Sequence, residues 1–177
     1  MAEVMNRQAV HDELEGARAA FHRLLGAATE ADLRRASDGT RWNNEQLLFH
    51  MLFGYLITRA LLMLAHVFGR LPAGASKGFA WLLGSLTGPF DVVNYYGSCA
   101  GARLIGRQRM GAKFDRVIVA LHRRLAAETE AHLRRGMHYP VRWDPFFKDF
   151  MSLADIYHYP TQHFEFHRRQ LTVSSAS

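Results

Sequence analysis

The chain has 177 residues, 49% of them apolar and 21% charged, which suits a single folded domain with its own core and excludes a disordered chain. A formal charge of +6 with a pI near 9.9 invites contact with phosphates. However, Arg34-Arg35, Arg123-Arg124, Arg134-Arg135 and Arg168-Arg169 are separate pairs beside acidic or polar residues, the pattern of a solvated surface rather than a nucleic-acid face. Cys99 is the single cysteine, so an intrachain disulfide and a cysteine zinc cage are both excluded.

The opening residues, through Gly16, are polar and acidic and lack the basic start and apolar run of a secretory signal, so a cytoplasmic protein is expected. Val10, Leu14, Ala17, Phe21, Leu24 and Leu25 recur at helical spacing and predict a first helix with one buried stripe. Gly26 and the polar stretch to Gly39 interrupt it, with room for a helical turn over Ala31 to Arg35. Asn43 and Gln46 form a capping-box pair, and Trp42 is placed to staple onto the first turn of the helix that follows. That second helix runs from about Asn44 to His66 or Phe68. It is apolar enough to span a bilayer, but His50, Arg59 and His66 interrupt it, so a buried amphipathic helix is expected and no membrane partner.

Residues Leu71 to Gly111 are punctuated by glycines. A short helix over Phe79 to Leu86 and a longer one over Asp91 to Arg109 fit, and the glycines serve either close helix approach or a mobile cover over a pocket. The stripe Phe114, Val117, Ile118, Leu121, Leu125 and Leu133 predicts one helix from Lys113 to Arg135, ended by Gly136. Met137 to Pro145 reads as a connection and Phe146 to Leu171 as a final helical region, started or kinked by Pro160. No segment alternates long enough to require a strand, so residues 1–177 are expected to form one all-α domain.

Ten histidines are spread along the chain. His11, His22, His122 and His132 stand among charged residues, where a hydrogen-bonded or exposed imidazole is the default. His163-Phe164-Glu165-Phe166-His167 is different, because side chains four apart on a helix share a face and reach one ion together. Glu165 points off that face, which excludes the zincin arrangement. His50 sits in an apolar run and needs either a hydrogen-bond partner or a metal. His158, five residues before His163, is turned off the shared face, while Tyr159 is four residues before it. Cys99 in an apolar helix reads as packing or as a thiol.

Trp42-Asn43-Asn44-Glu45-Gln46-Leu47-Leu48-Phe49-His50, the segment Asp155 to His167 with its paired histidines, and the order of the helices between them, with Asn94, together resemble the DinB-like superfamily. This superfamily includes bacillithiol- and mycothiol-dependent transferases. The resemblance implies an antiparallel four-helix bundle with one long crossover and an extra helical segment between the second and third long helices. It implies that His50, His163 and His167 ligate one divalent transition metal (Zn, Ni, Fe or Co) with positions left open; Asn94 and, by its spacing from His163, Tyr159 are candidates for the substrate pocket, with packing in the core the other reading of Tyr159. It also implies a metal-dependent enzyme joining a low-molecular-weight thiol, as cosubstrate, to an electrophilic small molecule, with a homodimer allowed. A thiol-independent isomerase, hydrolase or tailoring enzyme, and a non-catalytic metal-binding stress protein, stay open beside it.

Overall fold

A computed structural model describes residues 5–173; the first four residues of the polar opening and the last four of the chain lie outside it. The elements, in order, are α1 (Arg7–Ala27), α2 (Glu30–Arg34), α3 (Asn44–Phe68), α4 (Ala73–Ser85), α5 (Thr87–Ala127), α6 (Glu130–Leu133), β1 (Gly136–His138), β2 (Phe150–Ser152) and α7 (Leu153–Arg168). The fold is all-α, with one antiparallel pair of three-residue strands matching Met137 to Met151.

Local chemistry sets the helix starts. Asn6 caps α1 by accepting the Ala9 N–H, and reciprocal capping boxes open α2 (Thr29 with Asp32), α3 (Asn43 with Gln46) and α7 (Ser152 with Asp155). Each satisfies amide groups that the first turn leaves without a carbonyl. α7 continues through buried Pro160, so the Ile156 carbonyl has no N–H four residues on.

Four long helices share the core. α3 packs on α5 and α7, and α1 packs on the same two. Side-chain pairs show the running directions. His11 meets His122 and Arg7 reaches Leu125, so α1 opposes α5. His50 meets His167 and Tyr55 meets Thr161, so α3 opposes α7. Tyr55 meets Phe114, while His66 touches Glu128 at the end of α5, so α3 and the second arm of α5, beyond Gly106, run the same way. The chain therefore travels back along the molecule between them, and α4 with the first arm of α5 forms the additional helical segment. At the centre Phe21 stacks on Phe114 with centroids 4.4 Å apart, and Tyr55 meets Phe114 edge-on at 4.7 Å. All three rings are fully buried.

Several sequence expectations change. The helix expected over Lys113 to Arg135 ends at Ala127. Glu128 turns extended and Thr129 caps the separate α6 by accepting the His132 N–H; a cap overrides the apolar period that ran on to Leu133. The final helix starts at Leu153, not Phe146, because Phe150 to Ser152 are drawn into pairing with β1. The short helix read over Phe79 to Leu86 spans Ala73–Ser85. The helix read over Asp91 to Arg109 is the first arm of α5, which bends at Gly106 (φ 65°, ψ 159°), a conformation open to glycine almost alone. α3 is the helix among the described residues that is long and apolar enough to cross a membrane, and most of it is buried inside the protein.

Candidate metal centre

Three helical positions from two elements converge near the start of α3 and the end of α7. His50 faces inward from the second turn of α3, and His163 and His167 lie one turn apart on α7. The ring centroids are 4.9 Å (His50 to His163), 4.8 Å (His50 to His167) and 4.5 Å (His163 to His167) apart. A ligating atom from each falls within 4.8 Å of the others, a spacing that one small ion can bridge. All three side chains are buried.

The approach of α7 to α3 depends on Gly54. A Cβ there would lie 2.8 Å from the His163 ring, closer than real carbon contacts allow.

Every imidazole has an outward partner for Nδ1. His163 Nδ1 lies 2.8 Å from Asp144 Oδ2, His50 Nδ1 is 3.2 Å from Ser98 Oγ, and His167 Nδ1 is 2.7 Å from Gln170 Oε1. The Asp144 and Gln170 oxygens accept from Nδ1, which leaves Nε2 of His163 and His167 free to donate a lone pair, and the Ser98 hydroxyl can accept from His50 in the same way. His163 Nε2 is buried with no hydrogen-bond partner. A lone pair stranded in a protein interior is costly, and a cation seated among the three nitrogens would remove that cost. The donor set therefore fits a divalent transition metal.

Electrostatics agree. Burial, and then the proximity of His163 and His167, push the His50 pKa well below the usual histidine range. Burial and His163 bring His167 down to about 4 despite the Gln170 bond. Both rings are thus neutral near pH 7, the form that ligates. Burial alone would raise the Asp144 carboxyl, but hydrogen bonds from His163, the Phe146 N–H and the Tyr159 hydroxyl hold it below the ordinary aspartate value. The Tyr159 hydroxyl donates to Asp144 Oδ2 at 2.9 Å. Burial and that carboxylate raise its own pKa well above the usual value, so it remains a donor.

A cavity of about 190 Å³ opens onto the three rings. Its walls include Phe53, Ile57, Leu61, Phe90, Trp143 and Phe147. Tyr159 and Asn94, singled out from the sequence, both line it. The Trp42 ring, one place before the cap of α3, stacks on His50 at 4.3 Å and closes one side of the site. His158 points away to Glu13 and Glu165 pairs with Arg168, as their spacing implied. Cys99 is half-buried and outside the cavity lining. Sequence reasoning missed Asp144, Ser98 and Gln170. Asp144 stands between Trp143 and Pro145 in an irregular connection, where no periodicity points at α7.

A model of the DinB superfamily matches residues 13–171. No curated protein and no solved structure matches the chain.

Proposed function

The chain belongs to the DinB superfamily, and on that premise we propose that it is a metal-dependent enzyme that joins a low-molecular-weight thiol to a small, neutral, apolar electrophile. His50, His163 and His167 would hold one Zn, Ni, Fe or Co ion, and the partnerless Nε2 of His163 above the Asp144 carboxylate is the observation that carries this reading. When bound, such an ion supplies Lewis acidity that favours the deprotonated, nucleophilic form of a thiol or water.

The chain's own residues define what can react. Asp144 holds His163 in one tautomer and is itself held by Tyr159 and the Phe146 amide, so the ligand cannot rotate away. The cavity lining carries no lysine or arginine, and its single carboxylate is Asp144. A carboxylate- or phosphate-bearing electrophile would find no fixed countercharge on the walls, whereas a neutral ring finds the apolar walls of Phe53, Ile57, Leu61 and Phe147. An apolar cavity of about 150 Å³ is enough for benzene, so the volume here suits one substituted ring. In the transfer, a carbon–sulfur bond forms, the bond from carbon to the leaving group breaks, and the thiol proton departs with the leaving group. Asn94 is the uncommitted polar side chain positioned to orient the substrate.

The test is a rate panel with metal-loaded protein, pairing mycothiol and bacillithiol with an activated aryl chloride. Acceleration by wild type and its loss in His167→Ala are expected. Equal rates for wild type, His167→Ala and no protein would reject thiol transfer. Thiol-independent isomerase, hydrolase or tailoring chemistry, or a non-catalytic metal-binding role, would then take its place.

A further inference from the structure

A second group of ligating side chains gathers at the opposite end of α3. His66 lies in the last turn of α3, about 24 Å along the helix from His50 at 1.5 Å per residue. Glu128 is the residue that ends α5, and His132 lies in α6. The Glu128 side chain is only 4% exposed. His66 Nε2 is 2.8 Å from its Oε1 and His132 Nδ1 is 3.2 Å from its Oε2. The two rings meet edge-on with centroids 5.4 Å apart, and one donor atom from each of the three residues falls within 4.8 Å of the others.

We propose that His66, Glu128 and His132 form a second divalent-metal site, which pins the corner between α5 and α6 to the end of α3. Two imidazoles and a carboxylate are a donor set that zinc, cobalt and nickel accept. Donor atoms around a tetrahedral zinc ion with bonds of about 2.0–2.1 Å stand about 3.3 Å apart. Here the nitrogen–oxygen pairs, 2.8 Å on Oε1 and 3.2 Å on Oε2, need to open by at most about half an ångström to admit an ion held by both carboxylate oxygens. His66 and His132 are partly exposed, at 16% and 31% of their side-chain surface, so an ion can enter from solvent while the carboxylate stays buried.

The charges around the group set its strength relative to the first site. Arg124 Nε lies 3.7 Å from Glu128 Oε1, and the Tyr157 hydroxyl donates to the same oxygen at 3.5 Å. The Arg7 guanidinium is occupied by the Leu125 and Glu128 carbonyls and by the Glu130 carboxylate. Both groups that approach the Glu128 carboxylate besides the histidines thus fall on Oε1, and Oε2 faces His132. Arg124 opposes a second cation, so this site binds zinc more weakly than the one backed by Asp144.

Zinc titration by calorimetry, with elemental analysis after gel filtration, tests this on the full chain as wild type, His50→Ala and His132→Gln. Glutamine keeps a hydrogen bond to Glu128 but lacks an imidazole, so it separates ion binding from simple side-chain pairing. Two ions per wild-type chain and one in each variant are expected, the weaker one missing in His132→Gln. Loss of an ion in His132→Gln but not in His50→Ala would support this site while rejecting the first. Unchanged stoichiometry in His132→Gln, or loss of all zinc in His50→Ala, overturns the proposal. As a second readout, zinc should slow tryptic cleavage after Arg134 and Arg135 in wild type and not in His132→Gln; equal protection in both also overturns it.

Discussion

Asp144 shows how a site can depend on a residue that no spacing rule finds. Its side chain hydrogen-bonds to His163 and Tyr159 on α7, and it sets which nitrogen of His163 faces the cavity. Carboxylate partners of this kind are worth about 10- to 100-fold in metal affinity. Asp144→Asn should therefore weaken zinc binding by that factor while leaving the helical signal intact, as measured by competition with a chromophoric chelator; unchanged affinity would remove Asp144 from the site. Protonation gives a second test on metal-free protein. His50 and His167 are depressed in the folded state, His167 to about 4, whereas in the unfolded chain they take up protons near pH 6.5. Between those values the unfolded state binds more protons, so stability falls as pH drops from about 6.5 toward 4, by up to about 1.4 kcal/mol per pH unit for each ring. Denaturant midpoints across that window should slope less in His167→Ala than in wild type, and identical slopes would contradict the burial argument. The three histidines were legible because an i, i+4 pair and a lone imidazole in an apolar run are visible without coordinates. Ser98, Asp144 and Gln170 were not, since a hydrogen-bond partner can come from any loop that folds back.

At the scale of elements, the capping box at Asn43 and the stripe of α1 carried enough local information to be read from the chain. The return segment did not, because its glycines are consistent with several backbones. Gly101 explains one of them. A Cβ there would overlap the Phe49 ring, so the first arm of α5 lies directly on α3 just above His50. Gly101→Ala should cost about 1–3 kcal/mol through overpacking, read from urea unfolding, whereas Gly97→Ala, which meets nothing within 4 Å, should be neutral or stabilising. A comparable loss in both would mean that the contact with Phe49 does not set the cost, since helix propensity favours alanine over glycine at either position. The break after Ala127 escaped notice for the opposite reason: Leu133 continues the apolar period, and only the Thr129 cap with the inward turn of Glu128 shows that the helix has stopped.

For the whole molecule, the bundle and the return segment have different jobs. The Phe21, Tyr55, Phe114 and Phe164 cluster joins all four long helices, and Phe21→Ala should destabilise by about 3–5 kcal/mol, lowering the thermal midpoint without changing the metal content of the folded fraction. A loss near zero would show that α1 is peripheral. The return segment instead exposes Trp81, Val93, Tyr96 and Leu104, and it brings Ser98 and Asn94 to the site. Its course is set by Gly106, whose positive φ and extended ψ few other residues tolerate, although an added Cβ would meet no neighbouring element within 4 Å. Gly106→Ala should thus lower the thermal midpoint, a loss that no side-chain contact would nominate. Such a variant should be temperature-sensitive rather than metal-deficient, because the strain falls on the roof of the pocket while His50, His163 and His167 keep their places on α3 and α7.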